Sequence, residues 1–454
     1  MSAFSFSFSL RLGKVLYVLL FDFDCLLLLL KPFFTACIEI MRSLKKPKKI
    51  CIQGDDGRDY KYLVKAGEDL RQDERVQQLF DLMNGILQKQ HQCSRLKARI
   101  RTYRIVPLSI KLGLIEFLPN VVPLQQFFME ESLRKQYQTI AMEMFTEGPE
   151  KILLKAAGEG SSPLNHLTYW RSFQNITPET AARCFNEVLK KIPDHLLRDQ
   201  LLNCCVSPDV FCFLRQKFTV SLASMCIANY LLEIGDRHLG NIVLDTKTGE
   251  VIGIDFGYAF GASLQYLPIP ELMPFRLTKQ FVGVVDPVGM HGLLESTMKY
   301  CLKAFRDSSY ILLNTMDTFV KEPSLNWIVE ARRQIGEGRT LWNDEANLRD
   351  SFKWYPEEKI SAAARKLRGD NPVIIMQDEL MNSRRHLSSF PLHQIINCIY
   401  GKKDFSALSE EDQSAPRGYP LQALTVEQQT SCLIEMATDS VILSRTWFGW
   451  EAWI

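Results

Sequence analysis

The sequence has no excess of one charge. Its 54 lysines and arginines stand against 52 aspartates and glutamates, a formal net charge of +2 over 454 residues. Bulk electrostatics therefore points neither to a nucleic-acid binder nor to a strongly acidic partner. There is no C-x-x-C pair. The 12 cysteines are scattered, and the adjacent Cys204 and Cys205 are neighbours of a kind that rarely bridge each other. A disulfide framework or zinc site is disfavoured, and a reducing compartment fits better. The N-terminal apolar run falls short of membrane-spanning length. That run, residues 15–30, is 16 residues long and contains Asp22 and Asp24. A spanning helix takes about 20 residues, and each aspartate costs roughly 2.5–3.5 kcal/mol at a bilayer centre. No small-residue cleavage site marks a signal peptide. Residues 1–34 are expected to be an unassigned apolar segment rather than an anchor, and no internal repeat is found.

What is present is ordinary for a globular chain: 46% hydrophobic and 23% charged residues, enough for two or three cores. Residues 37–118 read as strands around one helix. Apolar runs at 38–41, 50–52, 60–65, 103–108 and 114–118 are separated by turn signals such as Gly54-Asp55-Asp56-Gly57. Val76, Leu79, Phe80, Met83, Ile86 and Leu87 fall on one helical face. After Pro119 the pattern turns mainly helical. The clearest helix is expected over residues 218–234, followed by strands at 242–244 and 251–254. Residues 401–420 read as a polar linker, and the chain ends in a short helical, aromatic unit.

Chemistry concentrates in Gly235-Asp236-Arg237-His238-Leu239-Gly240-Asn241, followed by Asp255-Phe256-Gly257. Phosphoryl transfer needs a carboxylate beside the attacking hydroxyl, oxygen ligands for magnesium, and positive charge on the phosphates. Protein kinases place the base five residues before a metal-binding Asn and take a second ligand from Asp-Phe-Gly. Asp236 and Asn241 keep that spacing, although the His-Arg-Asp order is reversed. Asp-Phe-Gly alone could be an ordinary strand-end turn; joined in order to Asp236 and Asn241 it is a kinase signal. His238 alone would more often be a structural hydrogen-bonder, but here it can contact the transferring phosphoryl group.

Lys65, at the end of a small-lobe strand, is the candidate phosphate ligand, with Glu68 or Asp73 as its carboxylate partner. On its own it would read as an exposed lysine in a charged loop. The lysine run at 45–49 has three readings: a nuclear-import signal, a solvated patch, or a loop covering the phosphates. No Gly-rich loop precedes Lys65, so Ser43, Lys45 and nearby amides are the candidates for that cover.

With these residues laid out, the chain resembles the phosphatidylinositol-3-kinase-related protein kinases over residues 37–454. The resemblance rests on Gly67-Glu68-Asp69-Leu70-Arg71-Gln72-Asp73, the Gly235–Asn241 loop, residues 252–257, and stretches at 113–118, 270–278, 314–323 and 445–451. It implies an α+β, two-lobed kinase: N-lobe and hinge at 35–118, C-lobe at 119–400, linker at 401–420, and a FATC domain at 421–454. It implies ATP and Mg2+ (or Mn2+) as cofactors, with Asp236 as base, Asn241 and Asp255 holding metal, and Lys65 holding phosphate. Glu116, Phe117 and Leu118 would form the hinge, Phe117 packing on the adenine face, with Val243 and Ile254 as the floor.

Within the family, the stretches most resemble members acting in DNA double-strand break repair by non-homologous end joining. That implies a nuclear enzyme acting on Ser/Thr-Gln sites of proteins. Docking of the Ku heterodimer and DNA ends would fall to long helical-repeat regions that this chain does not carry, so it reads as a fragment of a longer protein. Residues 258–275 contain no Lys or Arg, whereas a phosphoinositide headgroup needs countercharge, so no lipid substrate is expected. A catalytically silent scaffold and a lipid kinase are the alternatives. Trp447, Phe448, Trp450 and Trp453 suit either a membrane-interface anchor or packing against the large lobe.

Overall fold

The computed structural model describes residues 39–41, 46–54, 56–67, 69–146, 177–266, 271–322, 325, 345–383 and 423–454. The expectations for residues 1–34 and 401–420, and for Ser43, Lys45 and Glu68, lie outside the described residues. The chain divides into two compact units, one of Met1–Glu74 with Tyr103–Pro119, the other of Arg75–Thr102 with Asn120–Ile454.

The first unit is a five-stranded antiparallel sheet in the order β1-β2-β3-β5-β4. Its strands are β1 (Glu39–Ile40), β2 (Lys48–Gln53), β3 (Asp59–Ala66), β4 (Ile105–Ser109) and β5 (Leu112–Glu116). Alternation sorts its faces. Ile50, Val64, Leu112 and Leu114 pack as one core, flanked by Ile52, Tyr62 and Leu108. Lys49, Leu63, Lys65, Gly113 and Ile115 fall on the other face by register. Lys65 pairs with Gly113, and a side chain there would run into Leu70 Cδ1 at 2.7 Å and Val106 O at 3.0 Å.

The second unit is mainly helical. Helix α1 (Arg71–Lys89), which enters this unit at Arg75, and α2 (His91–Leu96) are followed by β6 (Val121–Pro123), α3 (Leu124–Phe127) and α4 (Glu131–Thr146). Then come α5 (Pro178–Lys191), α6 (Leu196–Asn203) and α7 (Pro208–Leu232). Strands β7 (Ile242–Asp245) and β8 (Val251–Gly253) pair antiparallel in the order β6-β7-β8. The rest comprises α8 (Ala262–Tyr266), α9 (Lys279–Val285), α10 (Leu293–Asp307), α11 (Ser309–Val320), α12 (Glu345–Arg368), α13 (Pro372–Ser383), α14 (Val426–Thr438) and α15 (Ser440–Leu443).

Helix α7 carries the site. It starts ten residues before the expected Phe218. Ser207 accepts from the Val210 amide, Pro208 opens the first turn and Asp209 follows, a complete N-terminal signature. Its face pattern is uninformative because residues 218–232 are buried all round. The helix stops where Glu233 turns left-handed, φ 48°. The carboxylate of Glu233 is buried with Lys359 at 3.2 Å and Lys366 at 2.5 Å. Burial alone would raise its pKa, but the two lysines hold it well below the ordinary value. Glu379 in the same cluster is pushed up to about 8, by burial and then by the Glu233 charge.

The C-terminal segment is integral to this unit. Thr425 and Gln428 close a reciprocal capping box at the start of α14. Arg306 donates to the carbonyls of Leu424 and Arg368. Phe448, Trp450 and Trp453 are buried, and the Phe448 and Trp453 rings lie 4.5 Å apart.

Candidate active site

The expected site residues divide between the units. In the first, half-buried Lys65 sits near the end of β3, and Asp73 lies buried in the first turn of α1. Glu116 ends β5; its carboxylate accepts from the Arg104 amide at 2.9 Å and its own amide donates to Arg104 O at 2.8 Å. The Phe117 amide donates to Lys61 O at 2.9 Å, so that N–H is already engaged. Lys49 lies 4.3 Å from the Phe117 ring centroid while pairing with Glu39 at 2.8 Å. The sequence reading missed Lys49 as a partner of Phe117. The signal was its parity in β2, which puts it on the Lys65 face.

In the second unit the loop after α7 is built around one buried side chain. Arg237 is 1% exposed. Its Nε donates to Gly235 O at 2.8 Å, and its Nη1 to Ile254 O at 2.9 Å and Asn241 O at 3.4 Å. Its Nη2 donates to Asp255 O. One planar guanidinium thereby ties the Asp236 loop to the Asp-Phe-Gly segment, a use of five fixed donors that lysine cannot copy. The Ile254 amide returns a bond to Asn241 O at 3.0 Å, and Phe256 packs edge-on to Phe80 of α1 at 5.3 Å.

Asp236 and Asp255 both have positive φ, 57° and 60°. Non-glycine residues hold this region only when their surroundings over-determine it, and such strain gathers at functional sites. Asn241 Nδ2 donates to Asp236 O at 2.9 Å and reaches Asp236 Oδ2 at 3.4 Å. That engages the amide nitrogen and makes the amide oxygen the atom suited to a cation. His238 Nδ1 accepts from the Gly240 amide at 3.0 Å. Burial lowers the imidazole pKa, with Asp236 opposing and Arg237 adding to the shift. A neutral ring accepting at Nδ1 carries its proton on Nε2, where it can donate. Gly240 permits this closeness, because a Cβ there would lie 2.8 Å from His238 Cε1.

Val243 is buried in β7, paired with Ile252 and Pro123, and Ile254 follows β8. Two further groups escaped the sequence reading. Glu271 Oε2 accepts from the Asp236 amide at 2.6 Å. Burial, then the Asp236 charge, pushes its carboxyl up to about 8. Arg276 donates to Trp450 O at 2.6 Å, Glu451 O at 3.0 Å and Arg237 O at 3.4 Å. Both lie in the 270–278 stretch, and Glu271 also in residues 258–275, which the sequence read for substrate class without giving either residue a role of its own.

This arrangement can hold a base, two oxygen ligands and a neutral imidazole donor in one loop system. Asn241 and Asp255 supply amide and carboxylate oxygens, the hard donors that a magnesium ion bound through phosphates takes, so the donor chemistry fits that cation.

A family model described as phosphatidylinositol 3- and 4-kinase matches residues 59–329, and one described as FATC domain matches 423–454. The chain is 40% identical over 425 residues to the DNA-dependent protein kinase catalytic subunit of Mus musculus, covering 93% of this chain and 10% of that protein. It is 38% identical over 427 residues to the same subunit of Dictyostelium discoideum, covering 92% and 10%. It is 29% identical over 417 residues to the serine/threonine-protein kinase tor1 of Schizosaccharomyces pombe (strain 972 / ATCC 24843), covering 92% and 16%. The chain thus spans about a tenth of the length of its DNA-dependent relatives. Among solved structures, the open conformation of CtTel1 is similar with TM-score 0.60 and 23% identity, covering 93% of this chain and 12% of that one.

Proposed function

The chain belongs to the phosphatidylinositol 3- and 4-kinase family, and from that premise we propose that it is an ATP-dependent protein kinase directed at Ser and Thr. The observation that carries the reading is Arg237, which binds the carbonyls of Gly235, Asn241, Ile254 and Asp255 and so joins the base-bearing loop to Asp-Phe-Gly. Asp236 accepts the proton of the attacking hydroxyl as its oxygen bonds to the γ-phosphorus and the β–γ bridging oxygen leaves with ADP. Asn241 and Asp255 would hold Mg2+, which when bound neutralises charge on the phosphates. Lys65 holds phosphate, and neutral His238 offers its Nε2 proton to the transferring group. Glu116, Phe117 and Leu118, with Val243 and Ile254, are proposed to receive the adenine.

A protein substrate is favoured over a lipid by residues 258–275. They lack Lys and Arg, and Glu271 among them is buried against the Asp236 amide. Relatives named DNA-dependent protein kinase catalytic subunit support the finer reading: Ser/Thr-Gln sites, a nuclear setting and double-strand break repair, with Ku and DNA ends engaged through regions beyond this chain.

The test is Mg2+-dependent transfer from labelled ATP to a Ser-Gln peptide, a Ser-Ala peptide and phosphatidylinositol, with Asp236→Asn as control. Transfer confined to Ser-Gln and abolished in the variant is expected. Transfer to lipid would overturn the protein-kinase reading. ATP binding without any transfer would indicate a silent scaffold.

A further inference from the structure

Glu271 stands outside the loop it touches. The residue is more than nine-tenths buried, 8% exposed. Oε2 accepts the Asp236 amide at 2.6 Å, while Oε1 has no hydrogen-bond partner among the described residues. Gly235 makes the approach feasible, since a Cβ there would fall 2.5 Å from Glu271 Oε2 and 2.1 Å from Ser263 Oγ. Behind it lies a cavity that Glu271 lines together with Glu233, Lys366, Glu379, Tyr230 and Leu433. The walls of that cavity therefore include the end of α7, α12, α13 and the C-terminal helix α14.

We propose that Glu271 is the positioning residue for the base: its carboxyl holds the Asp236 backbone in the left-handed conformation that presents the Asp236 side chain. The proposal rests on the reading of Asp236 as base. Three observations carry it. Asp236 sits at φ 57°, a state that must be imposed from outside the residue. The acceptor that imposes it is a carboxyl group with one oxygen unpartnered among the described residues, a destabilising choice for a bond any backbone carbonyl could make. Glu271 also belongs to the segment that follows Asp-Phe-Gly. A substrate resting on that segment would thus be linked to the base by one hydrogen bond. Arg276, five residues on, donates to Arg237 O and to the Trp450 and Glu451 carbonyls, which fixes the far end of the same segment.

The experiment compares Glu271→Ala, Glu271→Gln and Asp236→Asn in the full 454-residue chain. It reads kcat, the KM for ATP, and the unfolding midpoint. Glutamine keeps an acceptor oxygen at nearly the same place; alanine removes it. The expected result is a kcat about 100-fold lower in Glu271→Ala, the effect of a misplaced catalytic group, with the KM for ATP within about twofold. Glu271→Gln should recover kcat to within about threefold of the parent. An unchanged kcat in Glu271→Ala overturns the proposal. So does loss of ATP binding and cooperative unfolding in both variants together, which would make Glu271 a folding residue. A crystal structure of Glu271→Ala tests the same point independently of turnover: retention of the left-handed φ at Asp236 overturns the proposal. Full activity in Asp236→Asn would instead remove the base reading, a failure separate from that of Glu271.

Discussion

Replacing Arg237 by Lys and by Leu is a strong test of how the site is held together. The guanidinium makes two bonds at 2.8 and 2.9 Å, a third to Asp255 O and a longer one at 3.4 Å, all to backbone carbonyls. Charged hydrogen bonds contribute about 1.5–3 kcal/mol each. Bonds sharing one donor group do not add simply, and removing the charge also removes its desolvation penalty. Leucine should therefore destabilise the chain by about 3–5 kcal/mol, at about 1–3 kcal/mol for each buried carbonyl left without its donor. At about 1 °C per kcal/mol for a chain of this length, the midpoint should fall by roughly 3–5 °C. Lysine keeps the charge but carries one nitrogen, which cannot span carbonyls from Gly235 to Asp255. It should regain part of the stability yet leave kcat low. Thermal unfolding and turnover on the Ser-Gln peptide read the two effects separately. Parent-like kcat in Arg237→Lys would refute the claim that the guanidinium fork sets the distance between the Asp236 loop and Asp255.

Two further outcomes follow from the two units taken singly. Lys65→Met should lower kcat/KM for ATP by about 100-fold or more, as for loss of one preorganised donor, while the unfolding free energy stays within about 1 kcal/mol of the parent; a nucleotide titration with melting curves checks both. The buried acid Glu379 should make stability fall as pH rises. Its folded pKa is raised to about 8, so the folded state binds more protons than the unfolded state between about pH 4.5 and 8, and the unfolding free energy declines by up to about 1.4 kcal/mol per pH unit. Its neighbour Glu233 has the opposite sign, its contribution being present above the ordinary carboxylate range and lost in acid. Urea unfolding of the parent and Glu379→Gln across that window should show the parent's excess decline; parallel pH curves would count against the shifted acid.

Legibility tracked the range of the interaction. The β2 and β3 strands could be read because short apolar runs between turn signals are local, Ile50 and Ile52, Tyr62 and Val64 lying on one packed face, whereas the run expected at 114–118 was set two residues late, β5 spanning Leu112–Glu116. The Asp236-to-Asn241 interval was readable because phosphoryl transfer demands two groups on one short loop, and the Asn241 amide does meet Asp236. Helix α7 was only half visible. Its buried stretch has no polar face to reveal the period, and its Ser207-Pro208-Asp209 start announced the missing ten residues through capping rather than hydropathy.

What could not be read depends on contacts between distant residues. Glu271 lies 35 residues from the amide it binds, and Arg276 lies 174 and 175 residues from the carbonyls of Trp450 and Glu451. Nothing in the spacing of either residue predicts these partners. Yet both are buried ionisable groups, which persist in an interior only when satisfied or when their position does something else. Arg276 retains its charge with a pKa lowered to about 10, burial working against the Glu451 and Glu271 charges. It meets backbone carbonyls with both terminal nitrogens. Glu271 keeps one oxygen unpartnered among the described residues while its other oxygen holds the amide of the base. Arg276 Nε is likewise unpartnered among the described residues, so what separates the two residues is what their bonded atoms hold. Arg276 is explained by the tail it anchors, whereas Glu271 is explained only if the conformation of Asp236 is worth the destabilisation.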